Sequence, residues 1–421
     1  MFKKIITFAL VLALCATMIS AFALTSSATA YDGGTGTEAD PYVISSEASL
    51  KALAEAVNGG ANQAGVYFAL GDDITLTTEH TPIGLFDDSQ SINAPFSGNF
   101  NGRGYEIKGL SITSTDKASI GLFGSFGDGA VIKNVTVSGT ITGHARFIGA
   151  IVGITETNTT IQNCVSNVVI DAKTSKAFGD NARIGGVVGY ARGTNVIEYC
   201  VNNGKITVTQ DADAAAIAAK GFVGGVVGDI GTGTFKYCYS NADIELKGIA
   251  TSYVAGVIAN VSGTGLAISD CFAKGNLTAN DRVTTGCVGG IVSQFGGAEG
   301  TVTNCGYTGT ITSPSAETFV GYLSGNTKGK PTFNNCKTTG EVLFGATHAS
   351  KATAENCVGS VANIDDIELT VNTAIDEWVK AELPESPDTG DVQIAVAFAL
   401  AVVSLVGATL VIVKAKKETS V

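Results

Sequence analysis

The chain has 421 residues and a formal net charge of −12, so its surface repels nucleic acid and anionic lipid, and neither is an expected partner. Glycine accounts for 53 residues and proline for only 7, which excludes a disordered linker protein rich in both. Together with abundant Val, Ile, Thr and Asn, this glycine content is typical of short strands joined by tight turns.

Residues 1–30 have the parts of a signal peptide. Lys3 and Lys4 provide a basic start, an apolar run extends to Ala23, and Ala28 and Ala30 form an A-x-A cleavage site. We expect cleavage after Ala30, which places the following residues outside the cytoplasm. An uncleaved membrane anchor is the alternative.

Residues 31–95 are predicted to form an N-terminal cap and the first strands. Leu50, Leu53, Ala54 and Val57 follow helical spacing, and Gly59 with the next glycine ends the pattern. The segment therefore predicts a short amphipathic helix.

Residues 96–360 contain two alternating patterns. The first is an apolar residue, two polar residues and a cysteine, and its cysteines recur at intervals of 36, 38, 33, 34, 31 and 21 residues. They are Cys164, Cys200, Cys238, Cys271, Cys305, Cys336 and Cys357. The second is a glycine-bearing apolar strand such as 223–228 (VGGVVG), and a third short strand such as 204–208 (GKITV) lies between the two. This recurrence indicates a stacked repeat architecture.

Three short strands per repeat favour a triangular coil, because the crossovers of a βαβ unit need a dozen residues or more. Stacking equivalent strands in parallel, about 4.8 Å apart, pairs the backbone and buries one apolar face. The predicted fold class is all-β, a right-handed parallel β-helix of about eight turns, whose open end the N-terminal helix caps. The acidic residues 361–385 are expected to form a second cap and a stalk.

The repeats resemble the GLUG-repeat family of bacterial surface proteins. Gly121-Leu122-Phe123-Gly124 matches the motif literally, and residues 96–107 are similar to the opening turn of such proteins. The resemblance covers residues 32–360 and implies a surface β-helix with no particular activity. In some IgA-cleaving peptidases the repeat stands beside a protease domain. This chain has no H-E-x-x-H sequence, so we expect no zinc peptidase here.

The seven repeat cysteines are expected to stack as an inward ladder. Parallel side chains fit poorly with the torsion of about 90° that a disulfide needs, which favours buried free thiols that act as small apolar residues. Disulfides are the alternative, because eight cysteines remain in an exported chain and an even number is typical of disulfide frameworks. A line of thiols offers no tetrahedral site, so neither a metal nor another cofactor is expected. Cys287 is predicted to be a core residue.

The end of the chain contains three elements in order. Residues 386–390 are followed by the uncharged stretch 392–413, which is long enough to cross a bilayer, and by the basic tail 414–421, which favours the cytoplasmic side. The pentapeptide consists of Ser386, Pro387, Asp388, Thr389 and Gly390. This order resembles a sortase sorting signal with Ser386 in place of the usual Leu. It implies attack on the Thr389 carbonyl and transfer to peptidoglycan. A single-pass membrane protein, with the pentapeptide as a turn, is the alternative.

The predicted function is that of a non-catalytic protein anchored to the wall of a Gram-positive-type bacterium, which serves as an adhesin or spacer. Its expected partners are sortase and peptidoglycan, then a host or microbial glycan or protein, with membrane contact only through residues 392–413 before sorting. The alternative is a carbohydrate-active β-helix enzyme, a lyase or a hydrolase. No catalytic residue is assigned, because the acid pairs Asp72-Asp73, Asp87-Asp88 and Asp365-Asp366 lie near the ends of the coil.

Three long segments lie at one predicted corner of the coil: residues 172–182, 210–220 and 247–252. Insertions at one corner of a solenoid project from one side, and such a side is commonly used for recognition. These loops are therefore the predicted binding face. Neutral variation in loop length is the alternative.

Overall fold

The computed structural model describes residues 30–86, 93–115, 117–174, 181–210, 220–249, 251–279, 285–296, 299–313, 319–345, 353–358, 372–374 and 377. In these residues the chain forms a parallel β-solenoid of about seven turns with three faces. One helix, α1 (Glu47–Asn58), precedes most of the strands. The predicted all-β solenoid with a short N-terminal helix is confirmed, whereas its right-handed sense stays a prediction.

Face A is the largest sheet, with 16 strands that all pair in parallel. Its strands are β1 (Tyr42–Ile44), β2 (Tyr67–Leu70), β6 (Asn99–Asn101), β9 (Phe123–Phe126), β10 (Val131–Lys133), β13 (Val152–Thr155), β14 (Thr159–Gln162), β17 (Val188–Glu198), β21 (Val227–Lys236), β25 (Ile258–Val261), β26 (Leu266–Ser269), β30 (Val292–Phe295), β31 (Gly300–Thr303), β35 (Ser324–Asn326), β36 (Thr332–Asn334) and β38 (Thr353–Glu355).

Face B is a parallel sheet of 13 strands. Its strands are β3 (Ile74–Thr75), β7 (Glu106–Ser114), β11 (Thr136–His144), β15 (Val165–Thr174), β18 (Val201–Asn202), β19 (Ile206–Gln210), β22 (Tyr239–Ser240), β23 (Ile244–Lys247), β27 (Phe272–Ala273), β28 (Leu277–Ala279), β32 (Gly306–Tyr307), β33 (Ile311–Thr312) and β37 (Lys337–Thr338).

Face C is a parallel sheet of seven strands, one for each turn. Its strands are β8 (Ser119–Ile120), β12 (Phe147–Gly149), β16 (Asn181–Gly185), β20 (Lys220–Gly224), β24 (Thr251–Ala255), β29 (Thr285–Gly289) and β34 (Phe319–Gly321). The short antiparallel pair β4 (Leu85–Phe86) and β5 (Asn93–Ala94) lies beside the first turns. The sequence predicts about eight turns, whereas the described residues form about seven. The count is lower because no described strand of face C follows the corner at Cys357.

The corner from face A to face B, called the Asn corner, requires a left-handed backbone at the residue before each cysteine. Asn163 has φ +47° and Asn304 has φ +53°, and asparagine visits this region at lower cost than most residues. Asn163 Nδ2 donates to Asn134 Oδ1 at 3.0 Å, and Asn335 Nδ2 donates to Asn304 Oδ1 at 2.7 Å. The asparagines therefore turn the chain and link successive turns.

The corner from face C to face A, called the Gly corner, departs from the prediction. The glycine-bearing repeat is not one strand: it ends one strand of face C and begins the next strand of face A, as at Gly185 and Val188. A Cβ atom on Gly185 would lie 2.0 Å from the Val188 carbonyl oxygen, and one on Gly189 would lie 2.5 Å from that of Gly153. Glycine is needed because the backbones meet at this corner.

Helix α1 forms where the sequence predicts it and packs its apolar face into the core, whereas its role as a cap stays a prediction. Ser46 caps its N-terminus in a reciprocal capping box with Ser49, and Leu50, Leu53 and Val57 are buried against the core. Tyr31 packs on Tyr42, with ring centroids 4.8 Å apart.

No helix among the described residues has the length and apolar character needed to cross a membrane. The predicted span at 392–413, the sorting pentapeptide and the basic tail lie outside the described residues, as does most of the predicted acidic cap.

Candidate functional site

The repeat cysteines form one column at the Asn corner. The six from Cys164 to Cys336 are fully buried, Cys357 is partly buried, and all eight cysteines of the described chain, Cys287 included, carry free thiols. Each Sγ lies near the carbonyl two residues earlier, as Cys164 does at 3.3 Å from the Gln162 oxygen. Burial raises the pKa of the Cys271 and Cys305 thiols, so these groups stay protonated. These two buried thiols therefore act as structural, chemically inert residues.

The other predicted site residues are only partly described. Ala30 is exposed and is the first described residue, whereas Ala28 and residues 386–390 lie outside the described part. The predicted binding loops are described only at their edges, since residues 175–180, 211–219 and 250 are not placed.

A second layer of side chains, absent from the sequence predictions, lies outside the central core at the Gly corner. It consists of two rows, one on face C and one on face A, each kept in line by the register of the parallel strands. We call these twelve residues the corner site. On face C they are Phe147, Arg183, Phe222, Tyr253, Cys287 and Phe319, and on face A they are Ile154, Tyr190, Asp229, Asn260, Gln294 and Asn326.

The two rows contact each other at an ion pair in the middle of the coil. Arg183 Nε donates to Asp229 Oδ2 at 2.7 Å, and Asp229 is 1% exposed. Asn260 Nδ2 donates to Asp229 Oδ1 at 2.9 Å, and Gln294 Nε2 donates to Asn260 Oδ1 at 2.8 Å. One hydrogen-bonded chain thus connects four turns of the solenoid.

Aromatic rings surround the guanidinium group of Arg183. Its Cζ lies 4.4 Å from the ring centroid of Tyr190, 5.6 Å from that of Phe147 and 5.7 Å from that of Phe222. Phe222 in turn stacks on Tyr253, with centroids 4.7 Å apart. These are cation–π distances, so the rings help to stabilise a charge that has lost much of its water.

The electrostatics of the site follow from this burial. Burial raises the pKa of Asp229 even though the Arg183 guanidinium opposes the shift. Burial also raises the pKa of Tyr190, with the Asp229 charge as a second cause, so the phenol keeps its proton and can donate a hydrogen bond. A buried ion pair repays its desolvation only in part, so its presence is weak evidence of a purely stabilising role.

The solvent-accessible groups of the corner site differ from its buried carboxylate. Asp229 is the single carboxylate among the twelve residues, and it is sealed from solvent, whereas glycoside hydrolysis uses two carboxyl groups at the scissile bond. Tyr190, Tyr253, Gln294 and Asn326 are partly exposed. The accessible groups are therefore aromatic rings and amides.

The fold and this site define the class of protein: a parallel β-solenoid with a polar and aromatic seam along one corner. No family model matches the chain. It is 35% identical over 127 residues to a proposed Gly-rich membrane protein of Evansella cellulosilytica. The aligned region covers 29% of this chain and 14% of that protein. It is 31% identical over 223 residues to halomucin of Haloquadratum walsbyi, which covers 52% of this chain and 2% of that protein. The chain thus spans a small fraction of the length of both relatives.

Among solved structures, the chain is similar to a proposed immunoglobulin A1 protease from Bacteroides ovatus. The TM-score is 0.48 at 20% sequence identity, and the match covers 83% of this chain and 90% of that one. The likeness is too distant to assign a fold or an activity.

Proposed function

We propose that the protein is exported, anchored to the bacterial cell wall and non-catalytic, and that it acts in adhesion by binding an extended glycan at the corner site and the adjoining loops. The observation that carries the binding function is the network of Arg183, Asp229, Asn260 and Gln294 packed against aromatic rings.

The chemistry of the site supports a sugar as the ligand. A sugar ring has apolar C–H faces, which pack on aromatic side chains, and hydroxyl groups, which pair with amides and guanidinium groups. The residues of the corner site repeat once per turn along the axis of the coil, and the partly exposed tyrosines and amides among them stand on four different turns. This repetition suits a polymer that lies parallel to the axis.

A glycan array probed with the full chain tests the binding function. Tyr190→Ala and Gln294→Ala should each weaken binding to the best glycan at least about tenfold, which is about 1.4 kcal/mol. Tyr237→Asn is the matched control, because Tyr237 is also a partly exposed tyrosine but lies at the Asn corner. Its affinity should stay within about twofold of wild type. Equal losses in all three variants, or none, would place the binding surface elsewhere.

The sealed single carboxylate argues against the alternative of a carbohydrate-active enzyme. Incubation with a polysaccharide panel should release no more reducing sugar or unsaturated uronate than heat-denatured protein does. Release that Asp229→Asn abolishes would show a catalytic role for this residue.

Surface attachment rests on the two ends of the chain. Tyr31, which follows the expected cleavage site, already packs in the N-terminal cap, so cleavage after Ala30 leaves the folded part intact. The name of one relative as a membrane protein also supports a location at the cell envelope.

The sorting step is tested at Thr389. Thr389→Ala should leave the protein in the membrane fraction, because a sortase would form its acyl intermediate at this carbonyl. Muramidase should release the wild type but not the variant. Equal release of both would refute wall sorting while leaving the glycan proposal untouched.

A further inference from the structure

The last thiol of the column differs from the others. Cys305 and Cys336 are fully buried, whereas Cys357 is partly exposed. It follows β38, which pairs in the described part of the sheet with β36 on one side, and all three β38 residues are exposed. Among the described residues, Cys357 is therefore the column thiol that a reagent in solution can reach.

Cys336 and Cys357 lie in register on adjacent turns. Asn334 pairs with Glu355, and the Val358 amide donates to the Cys336 carbonyl at 3.0 Å. The Cys357 thiol donates to the Phe333 carbonyl at 3.3 Å, and the Cys336 thiol donates to the equivalent Val302 carbonyl at 3.5 Å, so the two side chains occupy equivalent positions. Strands in register are about 4.8 Å apart, which lies within the range of Cα separations that a disulfide spans.

The last turn differs from the interior in how firmly its cysteine side chain is held. Between two turns, neighbours on both sides hold the cysteine side chains parallel, and the disulfide torsion of about 90° is out of reach. Within the described part of the sheet, β38 pairs with one strand and its side chains are exposed, so a local adjustment there costs little.

We propose that Cys336 and Cys357 form a redox-active pair that is oxidised to a disulfide by exchange with a small or protein disulfide. The Cys357 thiolate attacks one sulfur of the disulfide R–S–S–R, which forms a mixed disulfide and releases R–S⁻. The Cys336 thiolate then attacks the Cys357 sulfur and expels the second R–S⁻. Both leaving thiolates take up the protons that the two cysteines lost, so two thiols are oxidised and one disulfide is reduced to two thiols.

The product would join the last turn to the one before it across a 21-residue interval. A crosslink of this kind restricts the unfolded chain and protects the end of the coil against fraying. The environment expected for an exported protein favours the oxidised form.

The neighbouring Cys336 thiol raises the pKa of Cys357, so oxidised glutathione tests the pair in the full chain at about pH 9.5, about one unit above the ordinary pKa of a thiol. After denaturation, alkylation and peptide mapping, the wild type should lose two free thiols and yield one crosslinked peptide that contains Cys336 and Cys357. Cys336→Ala should instead accumulate glutathione on Cys357, because the resolving thiol is missing. Cys357→Ala should lose no thiol.

Cys305→Ala is the matched control, since Cys305 occupies the same position one turn further inside, and this variant should still form the 336–357 crosslink. The proposal is overturned if the wild type keeps all its thiols, if glutathione remains on Cys357 of the wild type, or if another pair is crosslinked. Equal thiol loss in Cys357→Ala and in the wild type would also overturn it.

Discussion

The Asn corner and the Gly corner both turn the chain from one face to the next, but they use different side chains to do so. At the Asn corner, the polar side chains hydrogen-bond to their equivalents on the next turn, and the cysteines fill the interior. At the Gly corner the backbones touch, and the side chains outside it form an ion pair and aromatic contacts between turns. The first corner uses its polar groups for the coil itself, whereas the second presents varied chemistry to solvent. The difference teaches that residues repeated from turn to turn mark structure here, whereas residues that change from turn to turn form the proposed recognition surface.

The largest effect is expected inside the Gly corner. Val223→Asp should destabilise the fold by more than about 4 kcal/mol, because Val223 is fully buried and the new carboxylate would have no partner. Val169→Asp is the control at an exposed position and should change the unfolding free energy by about 0.5 kcal/mol or less. Urea titration measures both, and a small effect at Val223 would contradict the proposed core.

The ion pair outside the same corner should give the next effect. Asp229→Ala leaves the Arg183 charge without its partner and should cost about 3 kcal/mol. Replacing both residues together, Arg183→Met with Asp229→Leu, should restore most of that stability, because no uncompensated charge remains. If the double variant is as unstable as the single one, the pair is required for the fold, and its assignment to recognition is weakened.

The Asn corner should respond to backbone conformation. Asn163→Ala should cost about 1–2 kcal/mol, because alanine is strained at φ +47°. Asn163→Gly loses the same side-chain hydrogen bond but tolerates this conformation, so it should be the more stable of the two variants. An equal loss in both would show that the hydrogen bond, and not the turn, limits this corner.

The smallest effect is expected where tyrosine replaces asparagine at the Asn corner. Tyr199 and Tyr237 take the left-handed conformation and stack with ring centroids 5.1 Å apart. Tyr199→Asn relieves backbone strain but loses a ring contact worth about 1 kcal/mol, so the unfolding free energy should change by about 0.5 kcal/mol or less. A loss several times larger, measured in urea, would show that the stacked pair is a major support of this ridge.

The repeated residues carried enough information to predict the solenoid. In a stack of turns, each position meets the same physical demand in every turn, so the demand reappears in the sequence at a steady interval. Glycine recurs where two backbones approach closely, and asparagine recurs where the backbone takes the left-handed conformation. Cysteine recurs where a small side chain is buried. The glycine pattern was wrongly predicted to be one strand, because a corner between two short strands has the same apolar sequence.

The corner site was not predicted, although its face A row left a trace in the sequence. Tyr190, Asp229, Asn260 and Gln294 all stand two residues after the first residue of their strands, and this shared position could have revealed the row. No pattern within one repeat, however, pairs Asp229 with Arg183, which lies 46 residues earlier.

The sequence by itself thus determined the parallel coil and its buried cysteine column, because these depend on demands that recur in every turn. Only the tertiary structure decided which unlike side chains meet. Arg183 on face C reaches Asp229 on face A of the following turn because the Gly corner brings the two backbones together and the register sets their height. A contact between unlike side chains of two turns depends on how the turns stack, and the sequence of one turn does not specify this stacking.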